Sequence, residues 1–191
     1  MKAVVLDATL SETSAAKTLR DLMTERQIES SWFTLRNLKM LSCRSCGACG
    51  TRMPGQCWQK DDMLPVIHSI AGSELLVYLT PIKYGGYSSL MQKAIERTIP
   101  LGETVYFTGT GSHPMLYGKK YLLAIGLSEV NYNEADNFRL QVARNARNFQ
   151  SPYTTLVMKP SDNTDSCVRS IDRALGEAVE IEKCSGIMIQ E

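Results

Sequence analysis

Four cysteines, Cys43, Cys46, Cys49 and Cys57, fall within fifteen residues in a C-x2-C-x2-C-x7-C run. A two-residue gap turns the backbone just far enough to present the next sulfur. Three thiolates from one loop can then face a single inorganic centre, and the fourth closes it after a short excursion. Tight runs of this kind hold iron-sulfur clusters of the ferredoxin type, and the chemistry they carry is electron transfer. Zinc is the first competitor. It favours two separated C-x-x-C knuckles, or a cysteine pair with a histidine pair, whereas here the third cysteine overlaps the first knuckle. Free or disulfide-paired thiols are the remaining alternative. Disulfides rank last because residues 3–6 make too short an apolar run for a secretory signal before Asp7 interrupts. The expected location is cytoplasmic, where thiols stay reduced.

Positioning four thiols takes a folded scaffold, and 191 residues at 43% hydrophobic content suit a single domain, 1–191, with a proper core. The charge balance of 21 Lys plus Arg against 20 Asp plus Glu leaves +1, so no basic field recommends nucleic acid or an anionic membrane as a partner. The longest apolar runs are strand-length, far below a transmembrane span. Strands are expected at 3–6, 32–35, 75–80, 121–126 and 154–158, and helices at 14–26, 61–71, 88–97, 134–148 and 164–183. Strict alternation of the two predicts an α/β fold. Its expected form is a flavodoxin-like, doubly wound, five-stranded parallel sheet with helices on both faces. Two segments break the rhythm: the cysteine-rich loop, 37–60, inserted after the second strand, and a long loop, 99–118, in which 104–107 could form a short extra strand. Long loops in compact domains are usually functional.

The stretch from Cys57 through Met63, the strand 75–80, and Pro81-Ile82-Lys83-Tyr84-Gly85-Gly86-Tyr87 leading into Met91 through Arg97 resemble the flavodoxin-like NAD(P)H-dependent FMN reductases. Within that superfamily the cysteine run resembles the iron-sulfur flavoprotein branch. The resemblance implies FMN and a 4Fe-4S cluster on Cys43, Cys46, Cys49 and Cys57, and electrons passing between them. It also implies a redox partner, a ferredoxin, another electron carrier or NAD(P)H, and a homodimer or homotetramer. The fold places its ligand beyond the carboxyl ends of the strands. Thr9, Ser11, Thr13 and Ser14 would then meet the FMN phosphate. Pro81, Ile82, Lys83, Tyr84, Gly85 and Tyr87 would border the flavin ring, and Gly126 to Glu129 would form a third wall. No side chain is required as a general acid, because the cofactors carry the chemistry.

The first loop departs from the family pattern, which commonly has a Gly-Ser-x-Arg start; here the guanidinium is missing and Glu12 adds negative charge. Ser11 or Thr13 could equally serve as a helix N-cap. Lys83 stands where relatives often have an aromatic residue. It either tunes the flavin's charged edge or reaches to solvent. Asp61 and Asp62 are expected to cap a helix rather than form an acid pair. Trp58 shields the cysteine site or fills the core. His68 and His113 lack partners at ligand spacing, Cys167 and Cys184 are expected to be packed thiols, and Gly109 to Ser112 lacks the ending of a phosphate loop. Two alternatives to the two-cofactor electron carrier stay open: an NAD(P)H-dependent FMN or quinone reductase without a cluster, and a cofactor-poor flavodoxin-fold binding module.

Overall fold

Alternation of side chains along the central strands dictates the layering. In β1 (Lys2–Asp7), Val4 and Leu6 enter one core while Ala3 and Val5 enter another. β3 (Leu75–Lys83) divides likewise into Leu76 and Tyr78 against Leu75, Val77 and Leu79. So does β5 (Tyr121–Leu127), with Leu122 and Ala124 against Tyr121, Leu123 and Ile125. Strands apolar on both sides need cover on both faces. The computed structural model describes residues 1–102, 120–129, 132–162 and 165–187.

Five strands are parallel, in the order β2-β1-β3-β5-β6, with β2 (Glu29–Thr34) and β6 (Tyr153–Met158) at the edges. This is the flavodoxin-like order, whose ligand crevice lies at the carboxyl ends of the strands. The helices α1 (Ser14–Glu25) and α5 (Asp165–Ile187) cover one face, through residues such as Leu19, Met23, Ile171 and Leu175. The other face is covered by α2 (Met63–Ala71), α3 (Ser89–Glu96) and α4 (Tyr132–Asn148), through Val66, Ile70, Met91, Phe138 and Val142. No helix among the described residues is long and apolar enough to cross a membrane.

Three expectations need correction. The second strand starts at Glu29, not at residue 32, because Glu29 to Ser31 pair with Lys2 to Val4 although they are exposed and polar. Backbone pairing on an edge strand leaves no hydrophobic trace. Residues 81–87 are not simply a loop: Pro81 to Lys83 extend β3, and β4 (Gly86–Tyr87) pairs back on it antiparallel. Tyr84 and Gly85 turn the hairpin at φ of 51° and 72°, the left-handed pair that a tight hairpin of this hand demands. Third, residues 99–101 of the long loop form a 3-10 turn, Ile99–Leu101, while 103–119, including the possible strand 104–107, Gly109 to Ser112 and His113, lie outside the described residues.

Gly126 has a packing reason. A Cβ there would sit 2.6 Å from Phe138 Cε1 and 2.8 Å from Ile82 Cδ1, with both neighbours buried in the core. Gly126→Ala is expected to cost about 1–3 kcal/mol by overpacking. For a chain of this size that is a fall in Tm of roughly 2–4 °C per kcal/mol. A thermal melt unchanged from wild type would show that Phe138 can move aside freely.

Candidate functional site

Because the five long strands run parallel, β1, β2, β3, β5 and β6 all end on one edge, where Asp7 pairs with Thr34 and with Leu79. The cysteine loop leaves that edge from β2 through a 3-10 turn, Leu35–Asn37, and returns to it at α2. Its first two gaps each contain one residue of positive φ, Ser45 at 49° and Gly47 at 67°. One reversal of hand per gap brings successive sulfurs to the same side and aims N–H groups at them. The Ser45 N–H lies 3.4 Å from Cys43 Sγ. The Ala48 N–H at Cys46, joined by the Trp58 indole and the Arg44 charge, holds that exposed thiol below its ordinary value. Burial pushes the Cys49 thiol up, and the sulfurs of Cys57, Cys43 and Cys46 add to the push, so each of those three lies within electrostatic reach of Cys49.

All four thiols line a single cavity of about 220 Å³, closed by Arg44, Trp58, Gln59, Glu96, Arg97, Ile99 and Pro100. They are free thiols rather than disulfides. Zinc draws sulfurs to about 2.3 Å around one point. Among the described residues no three His, Cys, Asp or Glu side chains converge in that way. Trp58 is 44% exposed with Arg44 over its ring, so it borders the cavity and does not fill the core.

The base of the loop is clamped by a pair that sequence reasoning missed. Asp61 and Arg97 form a two-point ion pair at 2.7 and 2.9 Å, and both side chains are buried. Asp61 also accepts the N–H of Leu41 at 2.7 Å, and Arg97 donates to the Leu41 carbonyl at 2.7 Å. Leu41 is thus gripped by both its N–H and its carbonyl, two residues before the first ligand-type cysteine. Burial alone would raise the Asp61 carboxyl, but Arg97 and the N–H groups of Leu41 and Met63 outweigh it and hold it below the usual carboxylate range. The Met63 contact keeps the expected capping role for Asp61, while Asp62 bonds the Lys39 N–H. The available signal was a charge on an apolar stripe: Met91, Ala94 and Arg97 recur at helical spacing, and all three are buried.

At the carboxyl edge, the loop after β1 is ordered from within. Thr9 is buried, and its N–H and hydroxyl both donate to Asp7 Oδ1, while Arg36 holds the Thr9 carbonyl at 2.9 Å. Thr13 caps α1 by accepting the Ala16 N–H at 3.2 Å. Ser11 is exposed and Ser14 half-buried at the first turn of α1. In the hairpin, Tyr84 is 98% exposed and Lys83 is exposed. Tyr87 is buried, edge-on to Tyr78 and Phe138, so only Tyr84 of the two tyrosines has a ring face to offer. Ile82 and Gly126 are buried in the core, Pro81 is half-buried and Glu129 is exposed. Gly85 lies against α4, where a Cβ would meet Asn137 Cβ at 2.7 Å. His68 is exposed on α2, and Cys167 is packed against Met158.

Two curated proteins named iron-sulfur flavoprotein, both from Archaeoglobus fulgidus, are similar to this chain. One is 29% identical over 76 residues, 40% of this chain and 38% of the relative. The other is 26% identical over 125 residues, 56% of each. The chain therefore spans about half the length, or less, of these relatives. A solved flavone reductase superposes with a TM-score of 0.65 at 14% identity, covering 95% of this chain and 64% of that one, which shows the shared fold. The profile of NADPH-dependent FMN reductase matches residues 1–151, and with the flavodoxin-like strand order it places the chain in that family.

Proposed function

We propose that this chain is a flavin-dependent oxidoreductase that holds FMN at the carboxyl edge of its sheet and a 4Fe-4S cluster in the cysteine loop. NAD(P)H, or a small redox protein such as a ferredoxin, supplies or removes the electrons, and the working form is a homodimer or homotetramer. The observation that carries the proposal is that Cys43, Cys46, Cys49 and Cys57 all line one cavity, with backbone N–H groups at the sulfurs of Cys43 and Cys46. When bound, the flavin exchanges electrons in ones or pairs and the cluster singly.

The chain's own residues do the rest. Asp61 and Arg97 fix the loop before Cys43, and Trp58 and Ile99 give the cavity apolar lining. Ser11, Thr13 and Ser14 sit where the first N–H groups of α1 favour a phosphate. Thr9, bound to Asp7, shapes that loop from beneath. Tyr84 offers an exposed ring beside the flavin position, and the Lys83 ammonium sits next to it. Half-buried Pro81 and exposed Glu129 are at the same edge, while Ile82, Gly85 and Gly126 are buried and support it from behind.

Titrating FMN with the protein while following flavin fluorescence tests the first half. Saturable quenching is expected, and Tyr84→Ala is expected to weaken binding by about 0.5–1.5 kcal/mol, roughly two- to tenfold in Kd. Absence of quenching would remove FMN from the account. A second possibility, an NAD(P)H-dependent FMN or quinone reductase without a cluster, is favoured by the family match, which concerns the flavodoxin-like part. Rapid flavin reduction by NAD(P)H in an iron-free sample would select it.

A further inference from the structure

One cation of the cysteine cavity, Arg97, is held through three of its five guanidinium N–H groups. Arg97 is 1% exposed, with both Nη1 hydrogens spent on Asp61 and the Leu41 carbonyl and one Nη2 hydrogen spent on Asp61. Its Nε–H is buried and, among the described residues, has no hydrogen-bond partner. Buried donors are nearly always paired, so an orphan on a cavity wall points to an absent occupant. Arg97 lines the cavity that the four thiols line. Cys57 lines the same cavity, and although burial lowers the Arg97 guanidinium, Asp61 and the Cys57 sulfur outweigh it and hold it above its ordinary value. Gln59 contributes a second orphan to the same wall, Oε1, while its Nε2 donates to the Ser42 carbonyl at 3.2 Å.

We infer that Arg97 is a positioning residue for the cluster, donating its Nε–H to the Cys57 sulfur and so raising the cluster's reduction potential. The inference rests on the proposed cluster. Reduction places one electron on a centre already ringed by four thiolates, with no bond made or broken. A fixed, desolvated donor stabilises the more negative state most, and hydrogen bonds to sulfur are among the levers that set such potentials. The grip of Asp61 keeps the guanidinium from turning away, so the donor is in place before the electron arrives. Arg44 lines the same cavity but is exposed, and solvent and salt screen its charge.

The test compares full-length wild type, Arg97→Lys and Arg44→Gln, all reconstituted anaerobically with iron and sulfide, assayed for both, and titrated with dithionite under visible and paramagnetic-resonance detection. Lysine keeps the charge and loses the planar Nε donor. Arg97→Lys is expected to load iron and sulfide as wild type does, with a reduction equilibrium at least tenfold less favourable, about 59 mV more negative for one electron. Arg44→Gln is expected to shift it less. Where Arg97→Lys does not fold, the double variant Asp61→Leu, Arg97→Met removes both charges together, and the same negative shift is expected. An unchanged potential in a loaded Arg97 variant, or an equal shift from Arg44→Gln, overturns the inference alone. A wild type that takes up no iron and sulfide overturns it together with the proposed cluster.

Discussion

Asp61→Asn is expected to lower the free energy of unfolding by about 3–5 kcal/mol, the usual penalty for stripping one partner from a buried ion pair. The variant leaves the Arg97 charge out of water without its carboxylate. It also weakens the acceptor for the Leu41 and Met63 N–H groups. Against a total stability of about 5–15 kcal/mol, that is a large share. Urea unfolding should show a lower midpoint at unchanged slope. Removing both charges at once, Asp61→Leu with Arg97→Met, should cost much less, because no buried charge is left unpaired.

The same pair has a pH signature. The Asp61 carboxyl is held below its ordinary value in the folded chain. Its contribution is therefore complete above the unfolded carboxyl value of about 3.9, and is lost as pH falls further, through the folded value. Wild type should lose stability in that acid window more steeply than Asp61→Asn. A loss of under about 1 kcal/mol in Asp61→Asn at neutral pH would mean that the pair behaves like an exposed one, contrary to its burial.

Cys46→Ser is expected to remove nearly all iron and acid-labile sulfide, together with the associated visible absorbance, while leaving far-UV circular dichroism and the unfolding midpoint close to wild type. The two expectations separate because Cys46 is exposed and contributes nothing to either core, whereas three of the cavity's four sulfurs cannot complete a four-cysteine site. Cys167→Ser is the internal comparison. That thiol packs beside Met158 on the opposite face of the sheet, so its loss should affect stability and not iron content. Iron and sulfide at the wild-type ratio in Cys46→Ser would remove this cysteine from the cluster.

The parts of the fold legible in the sequence are those with a period. Double-sided strands such as 75–80 and 121–126, and helices with an apolar stripe such as α5, announce themselves in one dimension. The cysteine run does too, since its geometry is set by gaps of two residues. Pairings between distant residues do not. Asp61 and Arg97 lie 36 residues apart, and nothing local to either predicts the other. Tyr84 and Tyr87 look equivalent in sequence, yet one lies at the tip of a left-handed turn and the other in the core, because a two-residue hairpin reverses the chain between them. The Thr9 hydroxyl, expected at a phosphate, donates to Asp7, an acid that in the sequence only interrupts the first apolar run.

The central claim is that one chain carries both a flavin and a four-cysteine cluster. Its most direct test is an absorbance spectrum of anaerobically purified protein before and after dithionite, with flavin, iron and acid-labile sulfide measured on the same sample. Flavin bands over a broad iron-sulfur shoulder, both bleached by dithionite, with iron and sulfide present in equal amounts, are the predicted result. Flavin bands with neither iron nor sulfide, in protein never exposed to air, would contradict it.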